Sequence, residues 1–318
     1  MRYRLLGNTG LRVSELFLGA MRFGGGGTSR EECARIIDHY TEAGGNVIDT
    51  AVNYGDGESE RAIGAVLGAR RDRFVLSTKY TLSRDPGDAN AAGNHRKNLV
   101  RSLEASLRQL GTDHIDLYWV HVWDRDTPVE ETMRALDDVV RAGKVLYIGI
   151  SDTPAWVVSR ANTLAELRGW TSFAGIQVPY NLLERDVERD LLPMAEALGL
   201  SVAAWSPLAH GALAAAPDER TRAVVTELRA VAADLGATPA QVAIAWLLAR
   251  PGAVHPITGA GTVEHLADTL GALRLELPAE AADRLTAAGR FTPGFPRDFI
   301  EGLPPWVFGD AHSSLVRR

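Results

Sequence analysis

The chain has 318 residues, 46% of them hydrophobic, and a formal net charge of −6 with no basic block. That length and apolar content allow a large α/β core, and the acidic balance argues against nucleic acid or an anionic membrane surface as a partner. No apolar run approaches the ~18 residues of a membrane span, so the sequence reads as that of a cytoplasmic protein. The lone Cys33 excludes an intramolecular disulfide and any cysteine-based metal cluster.

The opening "RLLGNTGLRVS" predicts a hairpin over residues 1–14, with Asn8, Thr9 and Gly10 as its turn, placed to plug the floor of a barrel formed by the later strands. After the hairpin, short β-branched runs alternate with 3.6-period segments. The predicted strands are "LFLGA", "NVIDT", "FVLSTK", "IDLYWVH", "VLYIGIS", "AGIQV", "LSVAAWS" and "AVHPI", and the helices between them include residues 29–43, 98–110, 130–142 and 184–198. Cys33 falls in the first of those helices, as a structural thiol. The glycine run 24–27 lacks G-x-G-x-x-G spacing and reads as a flexible surface turn. Thr238 before Pro239 predicts a cap and first helical position just after a helix ending near Gly236, so one helix in that interval is extra. Eight strands alternating with helices, in one composition regime, predict a single (β/α)8 TIM barrel: hairpin 1–14, barrel 15–273, an additional helix and tail 274–318. The tail from residue 291 onward is dense in aromatics, which argues against simple disorder. It is expected to fold over the barrel mouth, with a subunit interface as the alternative.

In such a barrel the carboxyl ends of the strands converge on one mouth. Three consecutive strands end in Asp49, Lys79 and His121, and period-two alternation puts Val47 with Asp49, Ser77 with Lys79 and Trp119 with His121. Tyr54 lies in the glycine-rich turn after the first of them. Singly, each has an ordinary reading as a cap, a rim charge or a core residue. Their coincidence at one mouth is what points to chemistry.

The stretches "DTAVNYGDGESE", "FVLSTK", "LGTDHIDLYWVH", "RAGKVLYIGIS", "QVPYNLLERDVERDLLPMAEALGLSVAAWSPLA" and "ITGAGTVEHLADTLGAL", from residue 49 to 273, resemble the aldo-keto reductase family in order and spacing. The resemblance implies the same barrel and puts the family's catalytic tetrad on Asp49, Tyr54, Lys79 and His121. Its chemistry is intelligible. A carbonyl accepting hydride builds negative charge on oxygen and needs a proton donor there, and a free phenol with a pKa near ~10 is a weak one. An ammonium at position 79, held by Asp49, favours the phenolate of Tyr54, while His121 can hydrogen-bond the same oxygen and orient the substrate. No side chain supplies hydride, so a nicotinamide must.

The resemblance further implies NADPH as cofactor, with NADH open. Trp205 would be the platform for the nicotinamide ring, with Ser151, Asp152 and Gln177 at its carboxamide, and Met21 and Asp49 would also contact the cofactor. Ser206 and Leu208 would approach the pyrophosphate, and Gly259, Thr262, His265 and Asp268 the adenosine 2′-phosphate. Tyr80, Trp123 and Trp306 are expected to line the substrate pocket. Three departures stand out. Asp152 occupies a position usually held by Asn and offers only an acceptor when ionised, though it equally suits a cap for the helix starting near Pro154. The loop "HGALAAAPDER" lacks the family's usual lysine, and around "GAGTVEHLADT" only His265 is a candidate cation. The expected activity is reduction of an aldehyde or ketone, a small-molecule carbonyl, with no nucleic acid, membrane or metal and a homo-oligomer left open. Alternatives are a nucleotide-deoxysugar reductase, since such relatives share the "MRYRLLG" and "TGLRVSELFLGAM" start, and a cofactor-binding regulatory subunit like those of potassium channels.

Overall fold

A computed structural model describes residues 1–309 apart from Gly26, Pro217 and Arg220; Gly26 of the glycine run, two positions of the loop after the seventh barrel strand and the tail beyond 309 lie outside the described residues. Strands β1 (Tyr3–Leu5) and β2 (Arg12–Ser14) pair antiparallel as the expected hairpin. Its turn begins one residue earlier than predicted, at Gly7, which has φ 51° and lies so close to Ala174 O that a Cβ would sit 2.2 Å from it. Only glycine fits there. Leu6 and Val13 are buried with Phe17, Val47, Val75 and Leu117 inside the barrel, so the hairpin plugs the floor.

Eight parallel strands make the barrel wall: β3 (Phe17–Gly19), β4 (Val47–Asp49), β5 (Val75–Tyr80), β6 (Ile115–Val120), β7 (Val145–Ser151), β8 (Phe173–Pro179), β9 (Ser201–Trp205) and β10 (Val254–Gly259). They pair in chain order and close where β10 meets β3, each at a predicted strand, making a (β/α)8 barrel. Around it run α1 (Arg30–Glu42), α2 (Glu58–Leu67), α3 (Arg96–Leu110), α4 (Val129–Arg141), α5 (Ala155–Arg168), α6 (Leu191–Ala197), α7 (Arg222–Asp234), α8 (Pro239–Leu248) and α9 (Val263–Leu270), then α10 (Ala279–Ala288) and α11 (Arg297–Glu301). The extra helix is α7 or α8, both lying between β9 and β10; Thr238 and Gln241 form the reciprocal capping box that starts α8. No single helix among the described residues is long and apolar enough to cross a membrane.

Residues 184–198 do not make the one helix their pattern predicts. The Asn181 side chain accepts the N–H groups of Leu183 and Glu184, and Arg185 grips Glu188 through two nitrogens, so a loop and a 3-10 turn replace the first half.

Strand parity builds the mouth. Odd-numbered positions of β4 to β9 at the site face inward, and even-numbered ones such as Leu76, Tyr118, Ile148 and Val202 pack with the helices. Trp119 crosses the interior because β7 and β8 present Gly149 and Gly175; a Cβ on Gly149 would lie 2.3 Å from its ring. The described tail hydrogen-bonds to the barrel flank. Arg189 donates to Pro293 O, Arg297 donates to Glu188 O, and Phe291 sits under Arg185 and Arg189.

Candidate active site

Lys79, at the inward end of β5, is wholly buried and donates to Asp49 Oδ2 at 2.5 Å, to Thr50 O at 2.7 Å and to Tyr54 Oη at 3.4 Å. Burial pulls its ammonium down, but the charge of Asp49 and then Tyr54 more than offset this, so the lysine ends above its ordinary value. It is a fixed cation with one oxygen of the phenol in reach. Asp49 is fixed in turn by Ser77, whose hydroxyl donates to Oδ1 at 2.6 Å, and by the Gln177 amide at 3.2 Å. Trp119 donates to Ser77 Oγ at 2.6 Å, completing a chain from the barrel centre to the tetrad.

Tyr54 reaches this group because the chain after β4 turns through three left-handed residues, Gly55, Asp56 and Gly57, before entering α2. That explains "YGDG": two glycines and an aspartate tolerate positive φ where most side chains do not. The turn is seated on Gly24 and Gly25, whose backbone lies against Glu58 and Gly55; Gly25 and Gly27 are exposed, so the run is a surface turn that also supports this one. Ser59 ties the start of α2 back to Ala20 O and Thr50. His121 faces Tyr54 edge-on with ring centroids 5.8 Å apart, and its Nδ1 is buried without a partner. Burial, with Lys79 nearby, pushes its pKa down to about 3, so the imidazole is neutral at ordinary pH.

The other strand ends carry the remaining expected positions. Ser151 and Gln177 are buried side by side on β7 and β8, with the Ser151 hydroxyl next to the Asp152 carboxylate. Trp205, half-buried at the end of β9, donates its indole N–H to Asp152 Oδ1 at 3.1 Å. Asp152 therefore does not cap α5, whose N-cap is Pro154 without a side-chain bond; it sits exposed at the rim with φ 44°. The strand ends crowded round its carboxyl still hold it above the ordinary aspartate range, against the pull of Trp205's donation. The next loop is strained, with Ser206, Ala209 and His210 all at φ near 50° and the His210 N–H bound to Ser206 Oγ; Leu208 lies half-buried among them. Met21 is 62% exposed on the turn after β3.

At the last strand end Gly259 is exposed and Thr262 caps α9 by accepting the His265 N–H, leaving the His265 ring exposed. Glu32 of α1 accepts the Val263 N–H and pairs with Arg35, which adds a cation to this corner that sequence order conceals. Asp268 faces the other way: its carboxylate accepts from Thr238 and Gln241, locking α9 to α8.

Two expected pocket residues lie elsewhere. Tyr80 comes directly after Lys79 on β5 and so points outward, fully buried, stacking on Tyr118 and bonding Asn94 O. Trp306 is 73% exposed on a tail whose hydrogen bonds run to the flank. Trp123 is half-buried just past His121 and meets the exposed Trp156 edge-on at 5.6 Å. Ser77 and Trp119 emerge only from the structure as supports of Asp49, although Ser77's parity with Lys79 is a signal the sequence carries.

A parallel eight-stranded barrel with a buried lysine joining a carboxylate to a phenol at its mouth defines a class, the barrel oxidoreductases. The Aldo/keto reductase family profile matches residues 15–290, and the chain belongs to that family. It is 39% identical to norsolorinic acid reductase of Aspergillus flavus, over 95% of this chain and 84% of that one. It is likewise similar to aldo-keto reductase ausK of Emericella nidulans, 39% over 96% and 85%, and to a putative aryl-alcohol dehydrogenase of Saccharomyces cerevisiae, 36% over 95% and 90%. It is an oxidoreductase enzyme.

Proposed function

We propose that the protein reduces an aromatic aldehyde or ketone at the barrel mouth with NADPH, Tyr54 giving the proton. The observation that carries this reading is Lys79, buried and shared between Asp49 and the Tyr54 phenol. A donor oxygen beside a fixed ammonium can release its proton to a carbonyl as negative charge grows there. Neutral His121 offers that oxygen a hydrogen bond without a competing charge.

A reduced nicotinamide supplies the hydride when bound. The residues fit such a group: His121 Nδ1 is a buried polar atom without a partner at the mouth, and Trp205 is only half-buried there. Ser151 and Gln177 would hold the carboxamide, the Ser206 to His210 backbone the pyrophosphate, and Thr262, His265 and Arg35 the adenosine end. The aromatic preference rests on the aryl-alcohol dehydrogenase relative and on the Trp123–Trp156 pair, with Arg125 lying 5.7 Å over the Trp123 ring. A screen of NADPH oxidation against aromatic aldehydes, aliphatic aldehydes, ketosteroids and keto-sugars tests it. Aromatic aldehydes are expected to turn over fastest. Nucleotide binding with no turnover on any of them would contradict the reading and favour a regulatory role.

A further inference from the structure

Asp152 is an unusual residue in an unusual place. Its backbone is left-handed at φ 44°, a conformation that asparagine and aspartate tolerate best after glycine. Its N–H is bound to Gln177 O, which fixes the backbone, and its carboxylate accepts the Trp205 indole N–H at 3.1 Å. Trp205 also packs against the apolar cluster inside the barrel, its carbonyl takes the Tyr180 N–H, and His210 flanks the ring at 6.0 Å. The Asp152 bond is the hydrogen bond that orients the indole N–H edge among these contacts.

We propose that Asp152 is a positioning residue which, through Trp205, makes the site favour the oxidised over the reduced nicotinamide. This rests on the reading of Trp205 as the platform for the nicotinamide ring. Two effects act in the same direction. A carboxylate at the edge of the indole places negative charge beside any ring stacked there, and the oxidised nicotinamide is cationic whereas the reduced one is neutral. An indole whose N–H donates to a carboxylate is also richer in electrons on its face, which strengthens its attraction for a cationic ring. The charge acting on Asp152 from a neighbouring element is Lys79 on β5, already paired with Asp49; the His210 ring lies beside Trp205. Bias toward the oxidised form pulls the bound equilibrium toward reduced product.

The test is the ratio of dissociation constants for NADPH and NADP+, measured by quenching of protein fluorescence, in the parent, Asp152→Asn and Asp152→Gly. Asparagine keeps an acceptor for the indole and the left-handed backbone but removes the charge; glycine removes both without straining the chain. The ratio, NADPH over NADP+, is expected to fall by a factor of about two to five in Asp152→Asn, as for a partly exposed charge interaction. In Asp152→Gly both forms should also weaken, because the indole loses the hydrogen bond that orients it. In a Trp205→Phe background, which lacks the N–H, Asp152→Asn should change the ratio less. A parent that binds both forms, with a ratio unchanged in Asp152→Asn, would overturn the inference and leave the nicotinamide reading intact. Failure of the parent to bind either form would overturn both.

Discussion

Lys79 gives up all its water to reach the centre of the mouth, and Asp49, Thr50 O and Tyr54 Oη replace it. An unpaired buried ammonium would lose its proton, so the short Asp49 contact is what keeps the charge in place. That same charge, added to burial, depresses His121 from 6.5 to about 3. The imidazole therefore does not titrate between about pH 5 and 8, and it cannot shape the rate profile there. His121→Asn, which keeps a neutral donor, is expected to lower kcat yet leave the shape of the kcat/KM profile unchanged over that range. An acid limb near pH 6 that vanishes in the variant would contradict this. Asp49, Lys79 and His121 are legible in the sequence because each ends a strand at the same parity. Placing Tyr80 in the pocket ignores that parity, and the Asp152 partner is invisible in the sequence because Trp205 is 53 residues away.

The strands owe their legibility to short β-branched runs between turn residues, and the register then places side chains without further information. What the sequence hides are hydrogen bonds between distant segments, such as Asn181 and Arg185 consuming what looks like a helix start, or Glu32 bringing Arg35 to α9. At this scale the tetrad depends on the interior of β7. Trp119 reaches Ser77, and so Asp49, only because Gly149 leaves room for its ring. Gly149→Ala must displace that ring, since its Cβ would lie 2.3 Å away. The expected cost is about 1–3 kcal/mol of stability, as for other overpacked cores, together with a fall in kcat. Urea denaturation and steady-state kinetics on the variant check both; parental stability and turnover together would show that the Trp119 support is dispensable.

Across the whole molecule, burial leaves charges whose cost depends on pH. Glu60, behind β5, accepts from Thr78 and is raised by burial from 4.5 to about 7. Its folded value lies above its unfolded one, so the stability it lends is full below about pH 4.5 and lost as pH rises through 7. His255, lowered by burial from 6.5 to about 4, acts oppositely: its contribution is full above 6.5 and lost as pH falls toward 4. Glu60→Gln keeps an acceptor for Thr78 and removes the charge, so it should raise stability at about pH 8.5 by up to about 3 kcal/mol and by little near pH 5. Equal gains at both would contradict the assignment. On the proposed mechanism the barrel serves to bring Asp49, Tyr54, Lys79 and His121 to one place, and that reading has one direct test. Single-turnover reduction of an aromatic aldehyde should fall by about 10²–10⁴ in Tyr54→Phe while NADPH affinity stays within a few-fold of the parent. A Tyr54→Phe protein that binds NADPH and reduces the aldehyde at close to the parental rate would contradict the account.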